Sequence, residues 1–396
     1  MLSGTGPGTA KRPRIDHAPA NVQVLVIADE DFGSHFLSTA MTKTKVLVTG
    51  ATGYIGGSVL DRFLARPDAD NFEFTVLVRD PKKAEKFKTL GVDAVVGSHS
   101  DAPLMAKLSS EADVVIATVH CFRKSVVLSL HISRLTATIS SRPMQRWPDS
   151  RTDSKKLEYR PFLSIRRVSG TGVIAEDSKG LSASELIYDD ADAAQMASIP
   201  DTAIHRNVDL AITNADAEGY IKSYIILPST IYGLASGRFV DAGLQSAHSQ
   251  QIPALIKSSL DRGHAGMVGE GKNLWPNVEI HELSELYSVL WDAIVSNSGL
   301  GHGREGYFFG ASGEHSLYEV GKAIGEVLVA LGKSDDPAPT TFTKPELDKY
   351  FGGADYLGSN SRCHATHSRS IGWKPVKSTS DMLASIQLEI EAILKK

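Results

Sequence analysis

The residues with the clearest chemical meaning are three glycines spaced three apart, in Thr49-Gly50-Ala51-Thr52-Gly53-Tyr54-Ile55-Gly56. A turn of this kind holds a pyrophosphate. Gly50 permits the tight turn, Gly53 lets the backbone approach the phosphates, and Gly56 lets helix and strand pack closely. The flanks are the right ones. Lys45-Val46-Leu47-Val48 reads as a buried parallel strand, and Ile55, Val59, Leu60, Phe63 and Leu64 mark one face of a helix. The N-terminus of that helix offers free N–H groups and a positive dipole end to an anion. The plainer alternative is an ordinary glycine-rich turn between a strand and a helix.

The spacing is G-x-x-G-x-x-G after a threonine, and it resembles the signature of the short-chain dehydrogenase/reductase superfamily. The likeness is to its extended and atypical branches, which include nucleotide-sugar epimerases, dihydroflavonol-type reductases and NADP sensors. It returns in Leu227-Pro228-Ser229-Thr230-Ile231-Tyr232-Gly233 and in Gly372-Trp373-Lys374-Pro375, so it covers most of residues 41–396. The resemblance implies an α/β fold: a Rossmann-type doubly wound parallel sheet with a small C-terminal α/β substrate lobe. It also implies that Thr49, Gly50, Thr52, Gly53, Tyr54, Ile55 and Gly56 hold the cofactor, and that Pro228, Ser229, Thr230 and Ile231 line the nicotinamide.

Charge at the end of the second strand bears on the choice of cofactor. Residues 72–78 read as that strand, and Arg79 follows it. An acid near this place bonds the ribose 2′-OH of NAD, whereas an arginine suits the 2′-phosphate of NADP. Arg79, with Lys82 and Lys83 behind it, therefore favours NADP(H) over NAD(H); Asp80 is the complication. Asp101, after the third strand, resembles an adenine-contacting acid and equally fits a helix N-cap. Ala117 and Thr118 end the fourth strand, which in this fold lies beside the cofactor ribose.

Catalytic residues are harder to place. Ser169, in a Ser-Gly turn, matches the family serine that helps hold the substrate carbonyl, although turn chemistry alone explains such a serine. The family's acid/base pair, Tyr-x-x-x-Lys, is missing from the helix before the sixth strand. His205 and Asp209 stand where Tyr and Lys are expected. An unperturbed histidine titrates near about 6.5 and can move a proton, and Asp209, four residues on, would share its helix face. A structural histidine with a helix salt bridge is the alternative. The literal match Tyr318-Glu319-Val320-Gly321-Lys322 lies too far along the chain and reads as chance.

These residues need a frame to hold them. At 396 residues, 42% hydrophobic and 22% charged, the chain suits one large α/β domain with a smaller lobe. We expect a disordered leader over 1–40, with Met41 as the natural start; an NAD(P)-binding Rossmann domain over 41–235; and a substrate lobe with C-terminal helices over 236–396. Residues 119–168 break the pattern. Within 120–168 stand eleven Lys/Arg against three Asp/Glu, and no helical period is sustained. This stretch reads either as a basic insertion for an acidic partner or as a gene-model artefact such as a retained intron, which would corrupt the fifth strand.

A net charge of −4 argues against nucleic acid or an anionic membrane as partner. Two cysteines fit a reducing, cytoplasmic setting. There is no apolar run of membrane-spanning length, no metal-ligand spacing and no internal repeat. The expected function is an NADP(H)-dependent oxidoreductase or epimerase-like enzyme acting on a small carbonyl or alcohol substrate; homodimerisation is an analogy with the superfamily. The alternative is a non-catalytic NADP-binding redox sensor, which the missing Tyr-x-x-x-Lys favours.

Overall fold

The main sheet begins with strands β1 (Gln23–Ile27), β2 (Thr44–Thr49), β3 (Phe72–Val78), β4 (Asp93–Val96) and β5 (Val114–Ala117). The computed structural model describes residues 23–27, 43–118, 170–297 and 299–395. In β2, β3 and β5 the apolar runs are nearly continuous. Val48, Val76, Val114 and Val115 are fully buried, as strands covered on both faces must be. The three pair in parallel, with Thr49 level with Leu77 on one side and Ala117 on the other. Helices α1 (Tyr54–Leu64), α2 (Pro81–Thr89) and α3 (Ala102–Ser110) carry the chain between strands.

After α4 (Arg206–Ala217) come β6 (Lys222–Pro228) and the short β7 (Thr230–Tyr232). Helix α5 (Gln251–Arg262), β8 (Leu274–Glu279) and α6 (Ile280–Ser296) follow. The chain then runs through β9 (Tyr307–Gly310), β10 (Gly313–Ser316), α7 (Leu317–Ala330) and α8 (Thr379–Leu394). The order of the seven-stranded sheet is β9-β6-β1-β5-β2-β3-β4. This is the expected α/β Rossmann-type architecture, with one departure.

That departure is β1. It lies between β5 and β6 and runs antiparallel to both, with Val24 level with Ala117 and with Ile225. In a doubly wound sheet this place belongs to a parallel strand arriving after β5. The stretch expected to supply it, 119–168, lies outside the described residues, as does Met41. Residues 23–27 take the place instead, which corrects the reading of 1–40 as a disordered leader for these five residues. Unpaired N–H and C=O groups along β5 and β6 need partners, and any extended segment that reaches them can supply these.

The C-terminal third is shared between two cores. Helix α6 and strand β9 lie past residue 235, yet they return to the main sheet. Trp291 of α6 packs edge-on against Phe63 and Phe72, with ring centroids 6.3 and 5.1 Å apart. Its role is packing. The second core joins α5, α7 and α8 through Ile256, Val320, Ile324, Leu328, Met382 and Ile386. Strands β7, β8 and β10 form a small sheet beside it, β7 parallel and β10 antiparallel to β8. Trp373 of the Gly-Trp-x-Pro turn is buried and donates its indole N–H to the Glu282 carbonyl at 2.8 Å. Among the described residues, no helix is long and apolar enough to cross a membrane, and no cluster of metal-ligating side chains is found.

Candidate dinucleotide site

The glycine turn closes against the end of β5. Gly50 has φ +82°, and a Cβ there would stand 2.5 Å from Thr118 Oγ1 and 2.8 Å from the Thr118 carbonyl oxygen. A Cβ on Gly56 would strike both Thr118 Oγ1 and the Gly50 carbonyl. Thr118 is itself fixed, because its N–H and hydroxyl both donate to the Thr49 carbonyl, at 3.1 and 2.9 Å. Gly50 and Gly56 are thus required by the protein's own packing.

Gly53 differs. It is the N-cap of α1, its N–H donates to the Gly50 carbonyl at 2.8 Å, and a Cβ on it would meet only that oxygen, at 3.1 Å. Its outer flank is open to a ligand. Neither a capping side chain nor an acidic residue stands in the first turn of α1 to compete for the helix N–H groups. These features fit a dinucleotide pyrophosphate held against the half-buried Thr52, Gly53 and the start of α1. Thr49, Ile55 and Ala117 are buried and shape the floor.

At the adenosine end the charged residues separate. Arg79 is exposed directly after β3 and forms no ion pair with a described residue. Asp80 caps α2 by accepting the Lys82 N–H at 2.8 Å. Asp101 caps α3 by accepting the Leu104 N–H at 3.0 Å, so of its two readings the structure shows the cap. The Lys83 ammonium donates to the Leu244 carbonyl at 3.2 Å, and Lys86 does the same to Ala242 at 2.7 Å. Lys83, expected at the cofactor, here ties α2 to the 242–244 loop, a partner remote in sequence.

At the other end, β6 runs out at Pro228 beside Gly310 of β9. The Ser229 N–H and hydroxyl both donate to the Gly310 carbonyl, at 3.1 and 2.7 Å, and the Thr230 hydroxyl donates to Gln251 at 3.0 Å. Ile231 is buried in the pairing of β7 with β8. The side chains of 229–231 are therefore spent within the protein.

Tyr54 has a role its sequence context did not reveal. Its buried hydroxyl donates to the carbonyls of Tyr232 at 3.0 Å and Gly233 at 2.6 Å. Gln245 braces the same turn of helix by donating to the Tyr54 carbonyl at 2.9 Å and to Ser58 Oγ at 2.8 Å. Burial pushes the Tyr54 phenol well above its ordinary pKa, so it remains a donor.

Ser169 lies outside the described residues. His205 is the N-cap of α4, with left-handed backbone at φ +67°. It stands before the helix, which corrects the picture of His205 and Asp209 spaced along one helical face. Asp209 is fully buried in the first turn, with its carboxylate 4.0 Å from the Arg206 guanidinium. Arg206 in turn donates to the Tyr307 hydroxyl and the Met196 carbonyl, each at 3.0 Å. Tyr318 and Lys322 sit on the outside of α7, where Lys322 pairs with Glu326, so that Tyr-x-x-x-Lys is a coincidence of spacing.

Comparison with known proteins bears on the fold. The model of the NmrA-like family matches residues 42–133. Oxidase ucsJ of Acremonium sp is 26% identical over 356 residues, covering 85% of this chain and 94% of the relative. A phenylcoumaran benzylic ether reductase of Pyrus communis is 38% identical over 87 residues, covering 20% of this chain and 27% of the relative. Among solved structures, a UDP-glucuronic acid 4-epimerase of Bacillus cereus, in complex with UDP-glucuronic acid and NAD, matches with a TM-score of 0.54 at 14% identity. It covers 88% of this chain and 100% of its own. A dTDP-glucose 4,6-dehydratase of Streptomyces venezuelae with NAD bound matches with a TM-score of 0.56 at 15% identity, covering 87% and 96%. At such identities these two structures show the shared fold.

Proposed function

We infer that this chain, a member of the extended short-chain dehydrogenase/reductase superfamily, is an NADP(H)-dependent oxidoreductase or epimerase-like enzyme acting on a small carbonyl or alcohol. The observation that carries the reading is the glycine turn: closed by Thr118 at Gly50 and Gly56, open at Gly53, and tied through Tyr54 to the segment after β6. The nicotinamide, when bound, supplies the hydride chemistry. The chain's part is to bind and orient it. The first turn of α1 takes the pyrophosphate, Arg79 takes the 2′-phosphate, and the backbone of Pro228 to Ile231 lines the ring. Ser169 holds the substrate oxygen and His205 exchanges its proton.

The test is binding and oxidation of NADPH against NADH by the full chain, over a panel of aldehydes and ketones. Arg79→Ala should weaken NADPH by roughly tenfold, a loss of about 1.4 kcal/mol, and spare NADH. His205→Asn is the better catalytic variant, because asparagine tolerates the left-handed backbone that alanine resists. Turnover that collapses in His205→Asn supports the enzyme. Tight NADPH binding without turnover on any substrate favours a redox sensor, the reading that the absent Tyr-x-x-x-Lys supports.

A further inference from the structure

We propose that Ser236, His281 and Glu279 form a second, acyl-transferring centre that takes small carboxylic esters. The three are linked in line. Ser236 Oγ lies 2.9 Å from His281 Nε2, and His281 Nδ1 lies 2.7 Å from Glu279 Oε1. A carboxylate only accepts, so the neutral imidazole carries its proton on Nδ1 and presents the Nε2 lone pair to the serine hydroxyl. This is the nucleophile, base and orienting acid relation of acyl-transfer enzymes.

The relay is held rigidly. Glu279 ends β8 and caps α6, with its second oxygen accepting the N–H groups of His281 at 2.7 Å and Glu282 at 3.0 Å. Gly233, at φ +88°, leaves room for that carboxylate, since a Cβ there would stand 3.2 Å from Oε1. On the serine side, Ala235 is buried and its N–H donates to the Ala247 carbonyl at 2.9 Å. Arg238 holds Asp61 of α1 at 2.7 Å, and a Cβ on Gly237, at φ +106°, would strike that same carboxylate. The loop carrying Ser236 is thus tied to Ala247 on one side and to Asp61 of α1 on the other.

The centre opens into a groove of about 410 Å³ between the second half of α1 and the start of α6. None of the residues assigned to the dinucleotide lines it, so it is a separate site. Of the charges in its wall, Arg62 pairs with Glu285 and Asp61 with Arg238, and Glu282 accepts the backbone N–H groups of Val376 and Lys377. A neutral ester therefore suits it better than an ion. Ser236 and His281 are exposed, which admits both ester and water. Ser236 Oγ attacks the ester carbonyl carbon while its proton passes to His281 Nε2. The C–O bond to the alcohol breaks, and the alcohol leaves with that proton. Water then attacks the acyl-serine, again through His281, releasing the carboxylic acid and restoring the hydroxyl.

p-Nitrophenyl acetate tests this with the full-length protein. The expected result is nitrophenolate release with an acetyl group found on the Ser236 peptide by mass spectrometry. Ser236→Ala and His281→Ala should each lower the rate by at least about a hundredfold, the lower end of what a general base contributes. Glu279→Gln should lower it less. NADPH binding and thermal midpoint, measured on Ser236→Ala, should match the parent, so a failure here is distinguishable from a failure of the cofactor reading. An unacetylated Ser236, or equal rates in the parent and Ser236→Ala, overturns the proposal.

Discussion

The Tyr54 hydroxyl lies 2.6 Å from the Gly233 carbonyl oxygen, joining the first turn of α1 to the segment that follows β6. A single phenol thus ties the start of α1 to the segment after β6. Tyr54→Phe keeps the ring and deletes the donor, leaving two carbonyls short of a partner. We expect a loss of about 1–3 kcal/mol in urea unfolding, the usual cost of an unsatisfied buried group, together with several-fold weaker NADPH binding. Unchanged stability would mean that water replaces the phenol without cost.

Gly53 and Gly56 belong to one motif but answer to different masters, the ligand and the protein. A methyl group on Gly56 meets backbone, the Gly50 carbonyl, which has nowhere to move. Gly56→Ala should therefore destabilise by about 1–3 kcal/mol, as overpacking does, and abolish NADPH binding. A methyl group on Gly53 meets only the Gly50 oxygen, at 3.1 Å. Gly53→Ala should keep a near-parental unfolding midpoint and lose affinity at least about tenfold, a change of about 1.4 kcal/mol. Equal damage to folding by both variants would refute this division.

Much of this frame could be read from residues alone, for a physical reason. Parallel strands covered on both faces need continuous apolar runs, so Val46 to Val48 and Val114 to Ala117 stand out without a partner in view. The same holds for glycines whose spacing follows turn geometry. What stayed hidden depends on distant partners or shared chemistry. Asp101 fits a helix cap and an adenine contact equally well in sequence, because both uses need a carboxylate that accepts. Lys83 meets a carbonyl on a loop whose position only the fold sets. His205 takes a left-handed backbone that its residue type permits but does not announce. The Val-Leu-Val-Ile run at 24–27 was the one readable sign of β1, masked by glycine- and proline-rich surroundings.

Strand β1 lends itself to a direct test. It pairs with both β5 and β6 in the middle of the sheet. Removing residues 1–42 should leave two facing rows of unpaired backbone groups, each an open strand edge prone to association. We expect the shortened chain to aggregate, or to unfold at clearly lower urea concentration than the full chain. A shortened chain that is monomeric and equally stable would show that β1 contributes nothing to the sheet.

The lobe carries a pH-sensitive group in His315, buried in β10. Asn277 Nδ2 donates to its Nδ1 at 3.2 Å and also bonds Thr379 Oγ1 at 3.0 Å, linking β8, β10 and α8. Burial holds the imidazole neutral and pushes its pKa down to about 4, with Glu319 opposing weakly. In the unfolded chain the same ring takes a proton near about 6.5. Between those values the unfolded state binds more protons, so the contribution of His315 is fully present above pH 6.5 and is lost as pH falls toward 4. The whole span is worth ~3 kcal/mol. Urea unfolding of the parent and of His315→Gln, at pH 7.5 and at pH 5, isolates the term. The parent should lose about 2 kcal/mol more than the variant over that interval, because glutamine has no proton to gain, and parallel losses would show that the ring is already solvated in the folded protein.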